Sequence, residues 1–154
     1  MIRILFMCHG NICRSPMAEF VMRELVRRKG LSDKIETASA ALHRDVLGWP
    51  PHRGTQEKLA EIGVFTEGKT AVLARREDYD RYDYLIGMDE ENREDMRRLF
   101  GPDPAGKLHL LLDFTDHPRD VADPWYTHDF DVTWQDVNEG CEALLEHILA
   151  HNTF

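Results

Sequence analysis

Short apolar segments alternate along this chain with segments whose apolar residues recur at helical spacing. Residues 2–7, 34–41, 84–88 and 107–114 have the length and composition of strands buried in a sheet. Helical patterns follow over residues 16–29, 55–62, 76–82, 90–100 and 129–149. This alternation, with right-handed connections, predicts an α/β fold: one doubly wound domain over residues 1–154, with a four-stranded parallel sheet flanked by helices on both faces.

Composition narrows the classes of partner. The chain has 19 Lys and Arg against 28 Asp and Glu, a formal net charge of −9. Nucleic-acid and anionic-membrane binders are normally basic, so neither partner is expected. No apolar run is long enough to span a bilayer, and the first residues lack a signal-peptide cleavage site, which favours a cytoplasmic protein.

The cysteine content also favours a reducing compartment such as the cytoplasm. There are three, Cys8, Cys13 and Cys141, and an odd number does not make a disulfide framework, so a reducing compartment fits better. No further cysteine or histidine cluster stands at zinc-ligand spacing. No metal and no organic cofactor is expected.

The segment after the first strand carries the strongest chemical pattern. In doubly wound sheets, ligands bind outside the carboxyl ends of the strands, and here that position holds CHGNICRSP, residues 8–16. Gly10 permits a sharp turn, and successive N–H groups in a tight loop form a concave anion site. The helix starting near Pro16 adds unpaired N–H groups, and Arg14 can bind two phosphate oxygens. The residues predicted to surround a bound phosphate are His9, Gly10, Asn11, Ile12, Cys13 and Ser15.

Cys8 is the candidate nucleophile of this loop. A field that binds phosphate also stabilises a thiolate, and the Ser15 hydroxyl is placed to donate a hydrogen bond to it, while Asn11 bridges loop backbone groups. Attack on a phosphate monoester would give a cysteinyl-phosphate. The alternative is a buried, inert cysteine at a strand end, which is common. The order strand, Gly, Arg, Ser, Pro, helix favours the catalytic interpretation.

A general acid must reach this loop from elsewhere, because the leaving oxygen needs a proton. Residues 113–131 contain six aspartates, and any one of them could be a solvated loop or cap residue. Asp123 stands out because Pro124 restricts its backbone, and because Trp125 and Tyr126 could stack on a substrate ring.

Residues 8–16 resemble the active-site loop of the low-molecular-weight protein tyrosine phosphatases, C-x-G-N-x-C-R-S-P, at every fixed position. Asp123-Pro124 resembles the D-P motif that carries the general acid of that family. The resemblance implies Cys8 as nucleophile, Arg14 as phosphate clamp and Asp123 as general acid and base. It also implies phosphotyrosine proteins or peptides as substrates, with inorganic phosphate or vanadate as competing ligands.

Two segments depart from the family pattern. Residues 69–72 read KTAV where the family often has H-x-A-R, so a hydrogen bond that supports the loop is either missing or supplied differently. Residues 42–45 read LHRD where the family often places an aromatic wall. Either that wall is more polar here, or Trp49 takes its place.

Two further assignments stay open. Asp89 and Asn92 lie in an M-D-x-x-N segment like one that supports the phosphate loop in the family, but Asp89 could equally be an ordinary helix cap. Cys13 could form a reversible, protective disulfide with Cys8, or simply pack beneath the loop.

Three alternative functions are less consistent with the sequence. A thioredoxin-coupled arsenate reductase would need two more cysteines in mid-chain, and none lies between Cys13 and Cys141. Protein-arginine phosphatases of this family usually carry Thr at the position of Ile12, whose bulk suits a phenyl phosphate better. A non-catalytic phosphate-binding regulator is disfavoured by the intact set Cys8, Arg14 and Asp123.

Overall fold

The four predicted strands form one parallel sheet. The computed structural model describes residues 1–154, and its strands are β1 (Ile2–Cys8), β2 (Ile35–Ala41), β3 (Tyr84–Gly87) and β4 (Leu108–Leu110). They pair in the order β2-β1-β3-β4, and every pairing is parallel. The carboxyl ends therefore meet at one edge, and the strand order reverses beside β1, where doubly wound sheets bind their ligands.

Helices cover both faces of the sheet, as the alternating pattern predicts. They are α1 (Arg14–Arg28), α2 (Arg53–Ala60), α3 (Asp78–Arg81), α4 (Glu90–Phe100), α5 (Pro124–Thr127) and α6 (Phe130–His151). Alternate residues of β1 enter different cores: Phe6 packs with residues of α1 and α6, whereas Met7 packs with residues of β3 and α4. Burial on both faces explains why β1 is apolar throughout. No helix has the length and apolar character that crossing a membrane requires.

The predicted strand over residues 107–114 is wrong in its second half. Pairing stops at Leu110, and residues Leu111–Phe114 form a 3₁₀ helix. The Asp113 carboxylate accepts a hydrogen bond from the N–H of Leu110 at 3.0 Å, which stabilises the turn instead of an extended backbone. Leu111 and Leu112 are fully buried, and because short apolar runs fit a buried strand as well as a buried helical turn, their apolar character could not distinguish the two. The segment that follows, for which the sequence predicts neither a strand nor a helix before residue 129, ends in the short helix α5.

Gly140 allows α6 to pack closely on this 3₁₀ helix. A Cβ atom at Gly140 would lie 2.5 Å from Cγ of Leu111. We therefore expect Gly140→Ala to lower the free energy of unfolding by about 1–3 kcal/mol through overpacking, although alanine has the better helix propensity. Chemical denaturation measures this. In a Leu111→Ala background the same change should be neutral or stabilising, and an equal loss in both backgrounds would contradict the steric explanation.

Candidate active site

The loop between β1 and α1 forms the floor of a cavity of about 390 Å³ at the carboxyl edge of the sheet. The cavity is lined by this loop, by the segment after β2, by the start of α4 and by the start of α5. The lining residues are Cys8, His9, Gly10, Ile12, Cys13, Arg14, Asp45, Val46, Asp89, Glu91, Asn92, Asp123, Trp125 and Tyr126.

The loop backbone is shaped to curve around a small ligand. Asn11 has a φ of 62°, in the left-handed region that asparagine tolerates better than most residues. A Cβ atom at Gly10 would lie only 3.0 Å from Val46, so a glycine fits there without displacing the neighbouring segment. Cys13 precedes α1, and its side chain makes no capping hydrogen bond. The first N–H groups of α1 therefore remain available to an anion.

Cys8 ends β1 with its Sγ 3.0 Å from the Ser15 hydroxyl. The Asn11 amide donates to Ser15 Oγ at 2.8 Å and to Ser39 Oγ at 3.0 Å, while its Oδ1 accepts from the N–H of Val72 at 3.2 Å. Asn11 and Ser15 are fully buried behind the loop and do not line the cavity. The support expected around residues 69–72 is therefore supplied differently, by a backbone N–H together with Ser39.

Arg14 is held rigidly with only 3% of its side chain exposed. Its Nη1 donates to Asp89 at 2.8 Å and to the Val121 carbonyl at 3.1 Å, and its Nη2 donates to Asp123 at 3.3 Å. Burial lowers the pKa of Arg14, but the negative charges of Cys8, Asp123 and Asp89 outweigh it and raise that pKa overall. Arg14 thus keeps its positive charge at the cavity floor.

Asp89 has both of the functions that its sequence position allowed. One carboxylate oxygen caps α4 by accepting from the N–H of Asn92 at 2.8 Å, and the other accepts from Arg14. The Asn92 side chain in turn accepts from the N–H of Met88 at 3.0 Å, which ties the end of β3 to α4. The M-D-x-x-N segment therefore connects the sheet edge to the guanidinium.

Asp123 alone among the six aspartates of residues 113–131 lines the cavity. It precedes α5, its Oδ1 accepts from the N–H of Trp125 at 3.0 Å, and its Oδ2 faces Arg14. Four of the other five are engaged elsewhere: Asp113 with Arg93, Asp120 with the N–H of Glu90, Asp129 as the cap of α6, and Asp131 with Lys58. Asp116 is exposed to solvent.

The cavity walls are aromatic where α5 contributes and polar where the segment after β2 contributes. Trp125 and Tyr126 are 56% and 78% exposed and line the mouth. From the other segment, Asp45 binds Nε2 of His9 at 2.6 Å, and the His9 ring stacks on His43 with centroids 4.0 Å apart. Trp49, suggested from the sequence as a substitute wall, does not line the cavity and is 53% exposed. Of the two alternatives for this side of the cavity, a more polar wall or a wall formed by Trp49, the structure therefore has the more polar wall.

The three cysteines are unpaired and differ in environment. Burial raises the pKa of Cys13 to about 12, and the nearby charges of Cys8 and Asp123 add to the effect. Cys141 lies in the core, where burial also raises its pKa. Cys13 and Cys141 therefore remain neutral thiols near neutral pH. No group of three His, Cys, Asp or Glu side chains is arranged to hold a metal ion.

Sequence reasoning missed several residues of this site. Val46 and Glu91 line the cavity, and the Val121 carbonyl binds Arg14. Nothing in the local pattern marks these positions, because Val46 lies in a loop, Glu91 is one of several charged residues at the start of α4, and Val121 acts through its main chain. Ser39 was also missed, although a hydroxyl within a mostly apolar strand pattern is a usable signal, because a buried polar group needs a partner.

Comparisons with known proteins agree with this geometry. A family model described as low molecular weight phosphotyrosine protein phosphatase matches residues 3–153. The low molecular weight protein-tyrosine-phosphatase YfkJ of Bacillus subtilis is 43% identical over 150 residues, which cover 96% of each chain. PtpA of Staphylococcus epidermidis, with the same description, is 39% identical over 97% of this chain and 95% of its own.

Solved structures give the same result. The crystal structure of YfkJ from Bacillus subtilis matches with a TM-score of 0.96 at 41% identity, covering 99% of this chain and 98% of that one. A structure described as a Drosophila arginine phosphatase also matches, with a TM-score of 0.86 at 28% identity over 99% of this chain and 100% of its own. With a family model spanning nearly every residue and relatives well above 30% identity, this chain belongs to the low molecular weight phosphotyrosine protein phosphatase family.

Proposed function

We propose that this enzyme hydrolyses phosphotyrosine and other aryl phosphate monoesters through a cysteinyl-phosphate intermediate on Cys8. One observation carries the proposal: Asp123 lines the same cavity as Cys8 and Arg14 although it lies 109 residues beyond Arg14 in sequence, and Arg14 contacts it directly. A nucleophile, a fixed cation and a carboxyl group are together sufficient for phosphoryl transfer without a metal.

In the first step the substrate phosphate occupies the loop above Cys8. The loop N–H groups and Arg14 stabilise the negative charge of the equatorial oxygens. The Cys8 sulfur forms a bond to phosphorus while the bond from phosphorus to the phenolic oxygen breaks. Asp123 in its acid form gives its proton to that oxygen, so that a neutral phenol leaves.

In the second step the Asp123 carboxylate takes a proton from water. The water oxygen bonds to phosphorus as the sulfur–phosphorus bond breaks, which returns Cys8 as a thiolate and releases inorganic phosphate. The Ser15 hydroxyl, 3.0 Å from Sγ, supports that thiolate. Inorganic phosphate and vanadate should therefore compete with substrate.

The cavity walls support an aromatic substrate. Trp125 and Tyr126 offer ring faces at the mouth, and Ile12 adds apolar surface beside the phosphate site. Phosphotyrosine in a protein or peptide is thus the proposed substrate. Three unpaired cysteines support a reducing compartment such as the cytoplasm.

The substrate class is tested by comparing kcat/KM for matched peptides carrying phosphotyrosine, phosphoserine or phosphoarginine, with para-nitrophenyl phosphate as a reference. Contacts of the ring with the aromatic wall should favour phosphotyrosine over phosphoserine by at least about 100-fold. The fold alone does not decide against phosphoarginine, since the Drosophila arginine phosphatase shares it. Faster turnover of the phosphoarginine peptide would overturn the assignment, and no turnover of any substrate would favour a phosphate-binding regulator.

A further inference from the structure

Two buried polar side chains of α6 lie beside the segment that carries Asp123. Thr133 is fully buried and Asp136 is only 8% exposed, on the same buried side of the helix as Val137. They are three positions apart, so their side chains are neighbours on the helix surface. Because a buried hydroxyl or carboxylate group is costly unless it is hydrogen-bonded, the partners of these two residues indicate their function.

Both side chains bind the main chain of Ala122, the residue immediately before the candidate general acid. The Thr133 hydroxyl donates to the Ala122 carbonyl at 2.8 Å, and the Ala122 N–H donates to Oδ2 of Asp136 at 3.1 Å. The other oxygen of Asp136 accepts from Arg119 at 2.9 Å, and Arg119 also binds Glu139 of α6. Both main-chain polar groups of Ala122 are therefore held by side chains of one helix.

The preceding residue, Val121, is held from the side of the cavity floor. Its N–H donates to the Met88 carbonyl, just after β3, at 2.9 Å, and its carbonyl accepts from Arg14 at 3.1 Å. Residues 115–123 form neither a helix nor a strand, so no regular hydrogen-bond pattern fixes this segment. The contacts of Val121 and Ala122 with their neighbours supply that restraint directly before Asp123.

A general acid depends on such a restraint. Proton transfer requires the Asp123 carboxyl group within hydrogen-bond reach of the leaving oxygen, and a displacement of about 1 Å can lower a rate by about 10²-fold. The Asp123 side chain binds Arg14 and the N–H of Trp125, which belongs to the short helix that Asp123 itself caps. Its distance from the leaving oxygen therefore depends on where its main chain lies.

We propose that Thr133 and Asp136 are positioning residues that fix the main chain before Asp123, so that its carboxyl group reaches the leaving oxygen. The inference rests on the proposed function in one respect, that Asp123 is the general acid. A merely structural role predicts an equal loss of activity on every substrate, because misfolded enzyme turns over none of them. Misplacement of the acid instead affects only substrates whose leaving oxygen needs a proton.

The test compares kcat/KM for phenyl phosphate, which has a basic leaving group, with kcat/KM for para-nitrophenyl phosphate, whose leaving group departs readily without a proton. Thr133→Val keeps nearly the same shape but cannot donate to the Ala122 carbonyl. We expect kcat/KM to fall about tenfold for phenyl phosphate and less than about threefold for para-nitrophenyl phosphate. Thr133→Ser, which restores the hydroxyl, should bring both values within about twofold of wild type.

The matched control is Thr37→Val. Thr37 is also a buried threonine whose hydroxyl donates to a main-chain carbonyl, that of Glu19, at 3.1 Å, but it makes no hydrogen bond with the segment before Asp123. The change removes the same kind of hydrogen bond as Thr133→Val and should destabilise the protein in the same way. The ratio of the two kcat/KM values should nevertheless stay within about twofold of wild type.

Asp136→Asn tests the other contact with Ala122. An amide nitrogen replaces one carboxylate oxygen, so the side chain can accept from Ala122 or from Arg119 but not from both. We expect a selective loss on phenyl phosphate of about fivefold. In the double variant Thr133→Val/Asp123→Asn, the ratio of the two kcat/KM values should equal that of Asp123→Asn, because Thr133 acts through Asp123.

The ratio of the two kcat/KM values decides between the outcomes. The proposal is overturned by a wild-type ratio in Thr133→Val, by a ratio that Thr133→Ser does not restore, or by a further change in the double variant. If Thr133→Val does not fold, a wild-type ratio in Asp136→Asn is equally decisive. An unchanged ratio in Asp123→Asn refutes Asp123 as the general acid. A changed ratio in Asp123→Asn with a wild-type ratio in Thr133→Val refutes the positioning role alone.

Discussion

Replacing Cys8 by serine is expected to lower kcat on aryl phosphates by about 10⁴-fold or more, as removing the nucleophile does in other covalent enzymes. Serine fills nearly the same space at the end of β1, where Cys8 Sγ lies 3.0 Å from the Ser15 hydroxyl, but a hydroxyl is a much weaker nucleophile than a thiolate. Steady-state rates with para-nitrophenyl phosphate measure the loss. Inorganic phosphate should still bind, because the loop N–H groups and Arg14 are unchanged.

Cys13→Ser is the matched control for that change, since the same atom is replaced in the same loop. Burial holds the pKa of Cys13 near 12, so its thiol is not the attacking species, and the loss should be less than about tenfold. Rapid quenching should trap one phosphoryl group on the Cys8 peptide of the wild type. Substantial turnover by Cys8→Ser, or a phosphoryl group on Cys13 instead, would refute the assignment.

Asp123→Asn is expected to reduce kcat on a phosphotyrosine peptide by about 10²- to 10³-fold, the usual contribution of a general acid. The amide keeps the size of the side chain, and its oxygen can still accept from the N–H of Trp125, so α5 should stay in place. It cannot give a proton to the leaving oxygen. The loss should be smaller with para-nitrophenyl phosphate, because nitrophenolate leaves more readily without protonation. KM should change much less than kcat.

Asp120→Asn distinguishes Asp123 from another aspartate in the segment that precedes α5. Burial raises the pKa of Asp120, and the charges of Asp89 and Glu90 add to this, so on protonation state alone it would also qualify as an acid. It does not line the cavity, however, and it accepts from the N–H of Glu90 at 3.2 Å. We expect Asp120→Asn to keep kcat within about threefold of wild type. A larger loss of kcat for Asp120→Asn than for Asp123→Asn would indicate that Asp120, and not Asp123, is the general acid.

Some elements could be predicted because their signal is local. β1 is buried on both faces, so its apolar run is unbroken, and Gly, Arg, Ser and Pro follow it in an order that a strand–loop–helix anion site requires. Asp123 could be selected because Pro124 and two aromatic residues follow it directly. In each case the residues that act together are neighbours in sequence.

Other features depend on contacts between distant segments. The turn over residues 111–114 is set by Asp113 and by the absence of a side chain at Gly140, which allows α6 to approach Leu111. The polar wall pairs Asp45 with His9, 36 residues away. The placement of Trp49 outside the cavity follows from the path of a loop that has no periodic pattern.

The sequence by itself determined the α/β class and the number of strands and their order along the chain, and it indicated the candidate phosphate loop, because these signals come from residues that are adjacent in sequence. Only the tertiary structure showed that Asp123 contacts Arg14, and that the segment after β2 gives the cavity a polar wall. These depend on side-chain distances of a few ångströms between segments that only the folded sheet brings together, and no local pattern encodes such distances.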